Sequence, residues 1–209
     1  MAKANIEKGS RNFQLKLEAI EPSMKSPVEK RKPSGIADYF ALAMTTVGVG
    51  YLPLAPGTWG SMVGVGVYLF FNWFETNAIL HTAATGRGLE HAQAFHWALN
   101  SILLTAYCLF GIWASGRSIP LLGNDDPSEA VVDEVMGQLI TFCFIPFGLP
   151  WPFVLAGFLL FRLFDIWKPY PIDDLQILPG GLGICGDDIV AGAYAGLCLA
   201  FGYLAYTIV

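Results

Sequence analysis

The chain has 209 residues, of which 54% are hydrophobic and 14% are charged, and its mean hydropathy is +0.50. About a quarter of the residues of a soluble domain are charged, so this composition excludes an ordinary soluble protein and favours one membrane domain. The net charge of −5 is divided unevenly, because residues 1–36 hold eight Lys/Arg and four Glu, whereas residues 37–209 hold four Lys/Arg and thirteen Asp/Glu.

The first 36 residues predict a mobile, basic N-terminal tail, followed by a helical membrane domain over residues 37–209. The tail is rich in Ser, Pro, Lys and Glu, and no apolar stretch directly follows its positive charges, as it would in a signal peptide. Its mixed charge and its single aromatic residue, Phe13, argue against a nucleic-acid partner. Lys and Arg before the first span favour a cytoplasmic N-terminus.

Five apolar stretches follow the tail. They cover residues 36–54, 59–74, 97–116, 135–166 and 189–209. The third and the fifth reach the roughly 20 residues that a membrane span needs. The fourth is split by the proline-containing segment "PFGLPWP" (146–152) and predicts a helical hairpin. No stretch alternates with a period of two, so the predicted fold is all-α: a compact membrane-embedded helical bundle with short or re-entrant helices and one central acidic site.

These stretches predict a multi-pass topology with the tail in the cytoplasm. Segment 36–50 would dip into the membrane and return, and the polar stretch 75–96 would form an outer loop. The motifs "APGTWGS", "NDDPSEAVVDE", "FDIWKP" and "ICGDD" would then share the cytoplasmic face. This arrangement predicts one pocket built from four loops.

Carboxylates are the most conspicuous chemical groups in the polar segments. They are Asp125, Asp126, Asp133, Glu134, Asp165, Asp187 and Asp188. Mg²⁺ prefers oxygen ligands, and a bound cation would remove the repulsion between paired carboxylates. The alternative is that each acidic pair only stabilises the first turn of a helix.

Two further motifs offer groups that bind a phosphate. In "FRLFDIWKP", Arg162 and Asp165 are three residues apart and share a helix face, and Lys168 follows them. Arg162 or Lys168 would hold a phosphate, or the cluster would simply lie at the lipid–water boundary. In "APGTWGS", Thr58 or Ser61 would cap a helix whose free N–H groups attract an anion.

Several phosphate-handling mechanisms are excluded by the sequence. All three histidines, His81, His91 and His96, lie in the 75–96 stretch, away from the acidic motifs, which argues against a phosphohistidine mechanism. The chain has no Cys-x5-Arg loop for a thiolate phosphatase and no Asp-x-Asp-x-Thr motif for an aspartyl-phosphate intermediate. It also has no glycine-rich loop for ATP. A small ion-coupled transporter remains an alternative, because intramembrane carboxylates and broken helices also occur in transporters.

Four ordered motifs resemble the phosphatidylglycerophosphatase A family. They are "GVGYLPLAPGTWGS", "DPSEAVVDEVMG", "FRLFDIWKPYPI" and "GGLGICGDDIVAG", and the resemblance covers roughly residues 38–205. It implies a Mg²⁺-dependent phosphomonoesterase of the bacterial inner membrane. Such an enzyme converts phosphatidylglycerophosphate to phosphatidylglycerol, with membrane lipids and no obligate protein as its partners.

The resemblance also indicates which residues form the site. The positions matched to its motifs are Asp126, Asp133, Glu134, Asp165, Lys168, Asp187 and Asp188. We expect catalytic roles for Asp126, Asp133, Glu134 and Asp165, and substrate contacts from Thr58, Arg162 and Lys168. The expected metal ligands are Asp133, Glu134, Asp165, Asp187 and Asp188.

Overall fold

The computed structural model describes residues 28–84, 88–146 and 148–208. In these residues there are six α-helices and no strand: α1 Ile36–Thr46, α2 Pro56–Ala84, α3 Leu89–Leu122, α4 Val132–Phe142, α5 Trp151–Trp167 and α6 Gly181–Ile208. The all-α prediction is confirmed. The larger part of the predicted tail, residues 1–27, lies outside the described residues.

Two of the helices are long and apolar enough to cross a membrane. They are Glu90–Leu122, which is most of α3, and Gly181–Ile208, which is α6. At 1.5 Å per residue, both exceed the roughly 30 Å thickness of a bilayer core. They contain the third and fifth apolar stretches. Large apolar side chains such as Phe70, Leu109 and Phe201 are more than half exposed, which suits contact with lipid.

The predicted hairpin in the fourth apolar stretch is present. Helix α4 ends at Phe142, helix α5 begins at Trp151, and the proline-containing segment joins them. Pro152 stands in the first turn of α5, where the missing N–H of a proline costs nothing. Helix α4 is only 11 residues long, so it is too short to cross a bilayer.

The prediction of a loop over residues 75–96 is wrong for residues 75–84 and 89–96, which are helical. Helices α2 and α3 both continue into this stretch. Glu75 is buried on α2, where it accepts a hydrogen bond from Asn100 Nδ2 at 2.9 Å and lies 2.9 Å from His96 Nδ1. These polar side chains therefore contact each other across the two helices. Because each has a polar partner, both helices can contain them without a break.

The centre of the bundle is helix α4, which packs against α2 on one side and α6 on the other. The α4–α6 contact depends on glycine: a Cβ on Gly192 would collide with the backbone of Gly137. A Cβ on Gly137 would in turn collide with the Phe161 ring and lie 2.6 Å from the backbone oxygen of Asp188. The absence of side chains lets the two backbones approach closely, and this brings the acidic start of α4 beside α6.

Candidate active site

An acidic cavity of about 230 Å³ lies where the start of α4, the end of α5 and the second turn of α6 meet. Its polar and charged lining residues are Asp126, Ser128, Asp133, Glu134, Asp165, Lys168, Gln176, Asp187 and Asp188. Residues that are more than 60 positions apart therefore share one cavity. The structure brings together all seven positions that the family resemblance indicated.

Three carboxylates in this cavity face each other closely. Asp133, Glu134 and Asp188 each offer an oxygen, and these oxygens lie within 4.8 Å of one another. Asp133 and Asp188 are 8% and 4% exposed. Burial, and then the charge of Glu134, raises the pKa of Asp133 well above its usual value. Such a group is costly to hold without a cation.

The residues fit a hard divalent cation. The Oε2 atom of Glu134 is buried and has no hydrogen-bond partner among the described residues, although buried carboxylate oxygens are normally bonded. The three carboxylates supply the oxygen ligands that Mg²⁺ prefers. We therefore take Asp133, Glu134 and Asp188 as the candidate metal ligands.

The other two predicted ligands are already paired with cationic side chains. Lys168 Nζ lies 2.6 Å from Asp187 Oδ2, and Arg162 Nη1 lies 2.6 Å from Asp165 Oδ2. Arg162 also donates a hydrogen bond to Ser61 Oγ at 3.4 Å. Both carboxylates are thus held in fixed positions at the edge of the three-carboxylate cluster.

Lys168 ends helix α5 in an unusual conformation. Its φ of 46° is in the left-handed region, and its backbone N–H donates to the oxygen of Phe164 at 2.8 Å. Glycine is the usual residue at such a position. Burial lowers the pKa of Lys168, but the hydrogen bond to Asp187 and nearby carboxylates outweigh it and raise the pKa overall. The ammonium group is therefore charged at neutral pH.

The prediction that Thr58 or Ser61 caps helix α2 is wrong. The helix begins at Pro56, so both residues lie inside it, and Ser61 Oγ donates back to the oxygen of Gly57 at 2.9 Å. Thr58 does not line the acidic cavity, and neither does Arg162. The glycine of the motif matters instead, because a Cβ on Gly57 would collide with Glu134 Oε1.

The position of the last acidic pair also differs from expectation. The apolar stretch 189–209 puts Asp187 and Asp188 directly before the last helix, but α6 begins at Gly181 and places them in its second turn. The glycine-rich segment packs closely against α3, since a Cβ on Gly181 would collide with the backbone oxygen of Ile112. Asp133 and Glu134, in contrast, lie in the first turn of their helix as expected.

Two polar residues of the cavity were not predicted. Ser128 lies inside the motif "DPSEAVVDEVMG", and Gln176 lies in a short 3₁₀ helix, Asp173–Ile177. No sequence signal distinguishes Gln176, because it belongs to none of the quoted motifs. Its place in the cavity follows from the packing of its 3₁₀ helix against α6.

Comparison with known proteins shows the family of this chain. A sequence model of the family described as Phosphatidylglycerophosphatase A matches residues 42–203. The chain belongs to the phosphatidylglycerophosphatase A family. The matched region contains every residue of the acidic cavity. Family membership confirms the resemblance and identifies the chain as a phosphatase.

Curated relatives agree with this assignment. Phosphatidylglycerophosphatase A of Escherichia coli is 30% identical over 155 residues, 74% of this chain and 77% of the relative. Phosphatidylglycerophosphatase A of Haemophilus influenzae is 35% identical over 152 residues, 71% of this chain and 78% of the relative. A Bacteroides thetaiotaomicron protein with the name "Putative phosphatidylinositol-3-phosphatase" is 33% identical over 159 residues, 75% of this chain and 88% of the relative.

The matches also concern the expected membrane location and the transporter alternative. No solved structure matches the chain significantly. The bacterial relatives and the two long apolar helices indicate a membrane protein. None of the matches supports the transporter alternative.

Proposed function

We propose that this phosphatase hydrolyses the terminal phosphomonoester of phosphatidylglycerophosphate, yielding phosphatidylglycerol and phosphate, and that it requires Mg²⁺. The observation that carries the proposal is the group of three buried carboxylates within 4.8 Å of one another, beside Lys168, in a chain of this family. A cluster of carboxylates alone would repel a phosphate, so the site needs a cation to accept one.

Asp133, Glu134 and Asp188 would hold the metal ion. When bound, Mg²⁺ supplies positive charge that neutralises the phosphate oxygens and the charge that develops on them during hydrolysis. The other polar side chains of the cavity would act on the substrate without contacting the metal ion.

Lys168 would bind a phosphate oxygen with its ammonium group while Asp187 holds that group in place. Asp165 is fixed by Arg162, so Arg162 acts through a carboxylate and positions it. Asp126, at the edge of the cavity, would accept a hydrogen bond from the attacking water and orient it. In phosphoryl transfer, positioning and electrostatics supply most of the rate.

A second cavity supports a lipid substrate. It has a volume of about 610 Å³, lies between α2, α3 and α4, and is lined mainly by apolar side chains, among them Val67, Leu104 and Leu139. Val135, the residue after Glu134, also lines it. A cavity of this size and polarity suits part of an acyl chain.

The distribution of cations supports an active site on the cytoplasmic face of a bacterial inner membrane. Arg31 donates its backbone N–H to the oxygen of Pro120, near the end of α3. The start of α6 lies close to this same end of α3. A Cβ on Gly116 of α3 would be 3.0 Å from the backbone nitrogen of Gly181, the first residue of α6. The acidic cavity and the basic residues thus lie at one end of the bundle, and basic residues favour the cytoplasmic side.

Removal of the metal ion tests the proposal directly. Phosphate release from phosphatidylglycerophosphate by the purified protein in detergent is expected to need Mg²⁺ and to fall on the order of 10³-fold or more in EDTA. A parallel assay with phosphatidylinositol 3-phosphate compares the second lipid that is named among the relatives. Undiminished release in EDTA would contradict the metal requirement, and faster release from the inositol lipid would contradict the substrate assignment.

Replacement of Lys168 by Met is expected to lower kcat/KM about 10²-fold, because the phosphate loses a charged partner and Asp187 loses its 2.6 Å contact. The matched variant, Lys168→Arg, keeps the positive charge and should retain more of the activity than Lys168→Met. Steady-state kinetics on both variants would check this. Equal loss in the two variants would show that the shape of the side chain matters more than its charge.

A further inference from the structure

Asp38, in the first turn of α1, binds two arginines. Arg31 donates from Nη1 and Nη2 to its two oxygens at 2.5 and 3.0 Å, and Arg117 Nε donates to Oδ1 at 2.8 Å. The backbone N–H of Ser34 adds a fourth hydrogen bond at 2.8 Å. Asp38 is fully buried, and the hydrogen bonds from Arg31 hold its pKa well below the usual range. This buried carboxylate therefore fixes both guanidinium groups.

The two guanidinium groups, which we call the arginine pair, also reach the surface. The side chains of Arg31 and Arg117 are 41% and 37% exposed. Arg117 uses Nε for Asp38, which leaves its two terminal nitrogens for another acceptor. Lys30 and Lys32 are exposed next to Arg31 in the chain. Asp38 and the exposed Glu29 offset two of these four positive charges, so this surface keeps a net positive charge although the membrane domain as a whole is acidic.

Exposed aromatic rings lie directly beside the arginine pair. The Trp113 ring is one helical turn before Arg117, and Arg117 Cζ is 5.8 Å from its centroid. Phe40 follows Asp38 by two residues, and its ring centroid is 6.3 Å from that of Trp113. The two rings are 52% and 42% exposed for Phe40 and Trp113. Trp113 belongs to a helix that can span the membrane, and tryptophan near the end of such a helix marks the lipid–water boundary.

We propose that the arginine pair binds the phosphate of an anionic phospholipid, whose glycerol and upper acyl chains lie against Phe40 and Trp113. Guanidinium groups form paired hydrogen bonds with phosphate oxygens. Basic surfaces at the cytoplasmic ends of membrane helices attract anionic lipids. The adjacent exposed rings favour a lipid over free phosphate, because a free ion would not cover them.

This lipid site is separate from the acidic cavity. None of Arg31, Asp38 or Arg117 lines that cavity, and the lipid site is formed by α1, α3 and the segment before α1. The proposal therefore does not depend on the proposed hydrolysis.

Native mass spectrometry of the full chain, released from nanodiscs, tests the proposal. The nanodiscs hold equal amounts of phosphatidylserine and phosphatidylcholine with identical acyl chains. The test variant is Asp38→Asn with Arg117→Gln, which leaves the net charge unchanged and leaves no carboxylate without its partner. We expect retained phosphatidylserine to exceed phosphatidylcholine in the wild type and the ratio to fall about fivefold in the double variant. Adding Lys32→Gln should reduce the ratio further.

Three results would overturn the proposal. One is an unchanged lipid ratio in the double variant with a wild-type melting temperature, since the arginines would then only join α1 to α3. Another is a wild-type ratio near one. The third is complete displacement of phosphatidylserine by millimolar inorganic phosphate, which would make free phosphate the ligand. A variant too unstable to purify is replaced by Lys30→Gln with Lys32→Gln, which leaves the contacts of Asp38 intact and should lower the ratio in the same direction.

Discussion

Replacement of Asp133 by Asn should lower phosphate release on the order of 10³-fold, because the site loses a charged metal ligand and keeps its shape. The side chain is 8% exposed, and its oxygen lies within 4.8 Å of those of Glu134 and Asp188. An amide in its place would still accept a hydrogen bond from the backbone N–H of Glu134, which is now 3.1 Å from Asp133 Oδ1. The loss of activity would therefore arise from charge and not from misfolding.

The same substitution should stabilise the protein in EDTA. Without a cation, the three carboxylates repel one another in a buried site, and removing one charge relieves that repulsion. The melting temperature should rise by roughly 2–4 °C for each kcal/mol of repulsion removed. Greater stability together with lost activity is the signature of a charged functional site.

Asp174 provides the matched control. It is an exposed carboxylate outside the acidic cavity, so Asp174→Asn changes the net charge by the same amount. We expect this variant to keep wild-type phosphate release and melting temperature. If Asp133→Asn behaved like Asp174→Asn in both measurements, the three-carboxylate site would not be the active site.

Replacement of Gly137 by Ala should destabilise the protein by about 1–3 kcal/mol, as is usual when a packed contact is overfilled. The added Cβ would collide with the Phe161 ring and lie 2.6 Å from the backbone oxygen of Asp188. The ring can move, but the backbone of α6 cannot move without shifting Asp188. Phosphate release should therefore fall together with thermal stability, because one contact determines both.

Gly66 is the matched control for this substitution. It is an exposed glycine within α2, and a Cβ there would meet nothing within 4 Å. Gly66→Ala should stabilise the protein by up to about 1 kcal/mol, since alanine favours a helix over glycine. Melting curves in detergent would compare the two variants. Equal effects would show that the α4–α6 contact tolerates a side chain.

Some features of this protein were predictable from local sequence. The low charge content and the long apolar stretches predict membrane helices, because few chains of this composition can remain in water. The three-residue spacing predicts the ion pair of Arg162 and Asp165, because residues at that spacing lie on one face of a helix. The acidic motifs supplied all seven carboxylate and lysine positions that line the cavity.

Other features depended on contacts between distant segments. The polar stretch 75–96 predicted a loop, but Glu75 on α2 pairs with Asn100 on α3, and only their proximity in the fold shows that a helix can continue there. The role of the glycines before Asp187 likewise depends on a distant segment. A Cβ on Gly181 would collide with the backbone oxygen of Ile112, so the missing side chain lets the start of α6 lie directly against α3.

The sequence by itself determined the fold class, the family and the set of acidic residues, since these follow from composition and from motifs that are local in the chain. The tertiary structure decided which carboxylates face each other. Asp133, Glu134 and Asp188 meet because the glycines at 137 and 192 let two helices touch, whereas Asp165 and Asp187 are held by cations. The physical reason is that repulsion or pairing between charges depends on distances of a few ångströms, and only the packing of the helices sets those distances.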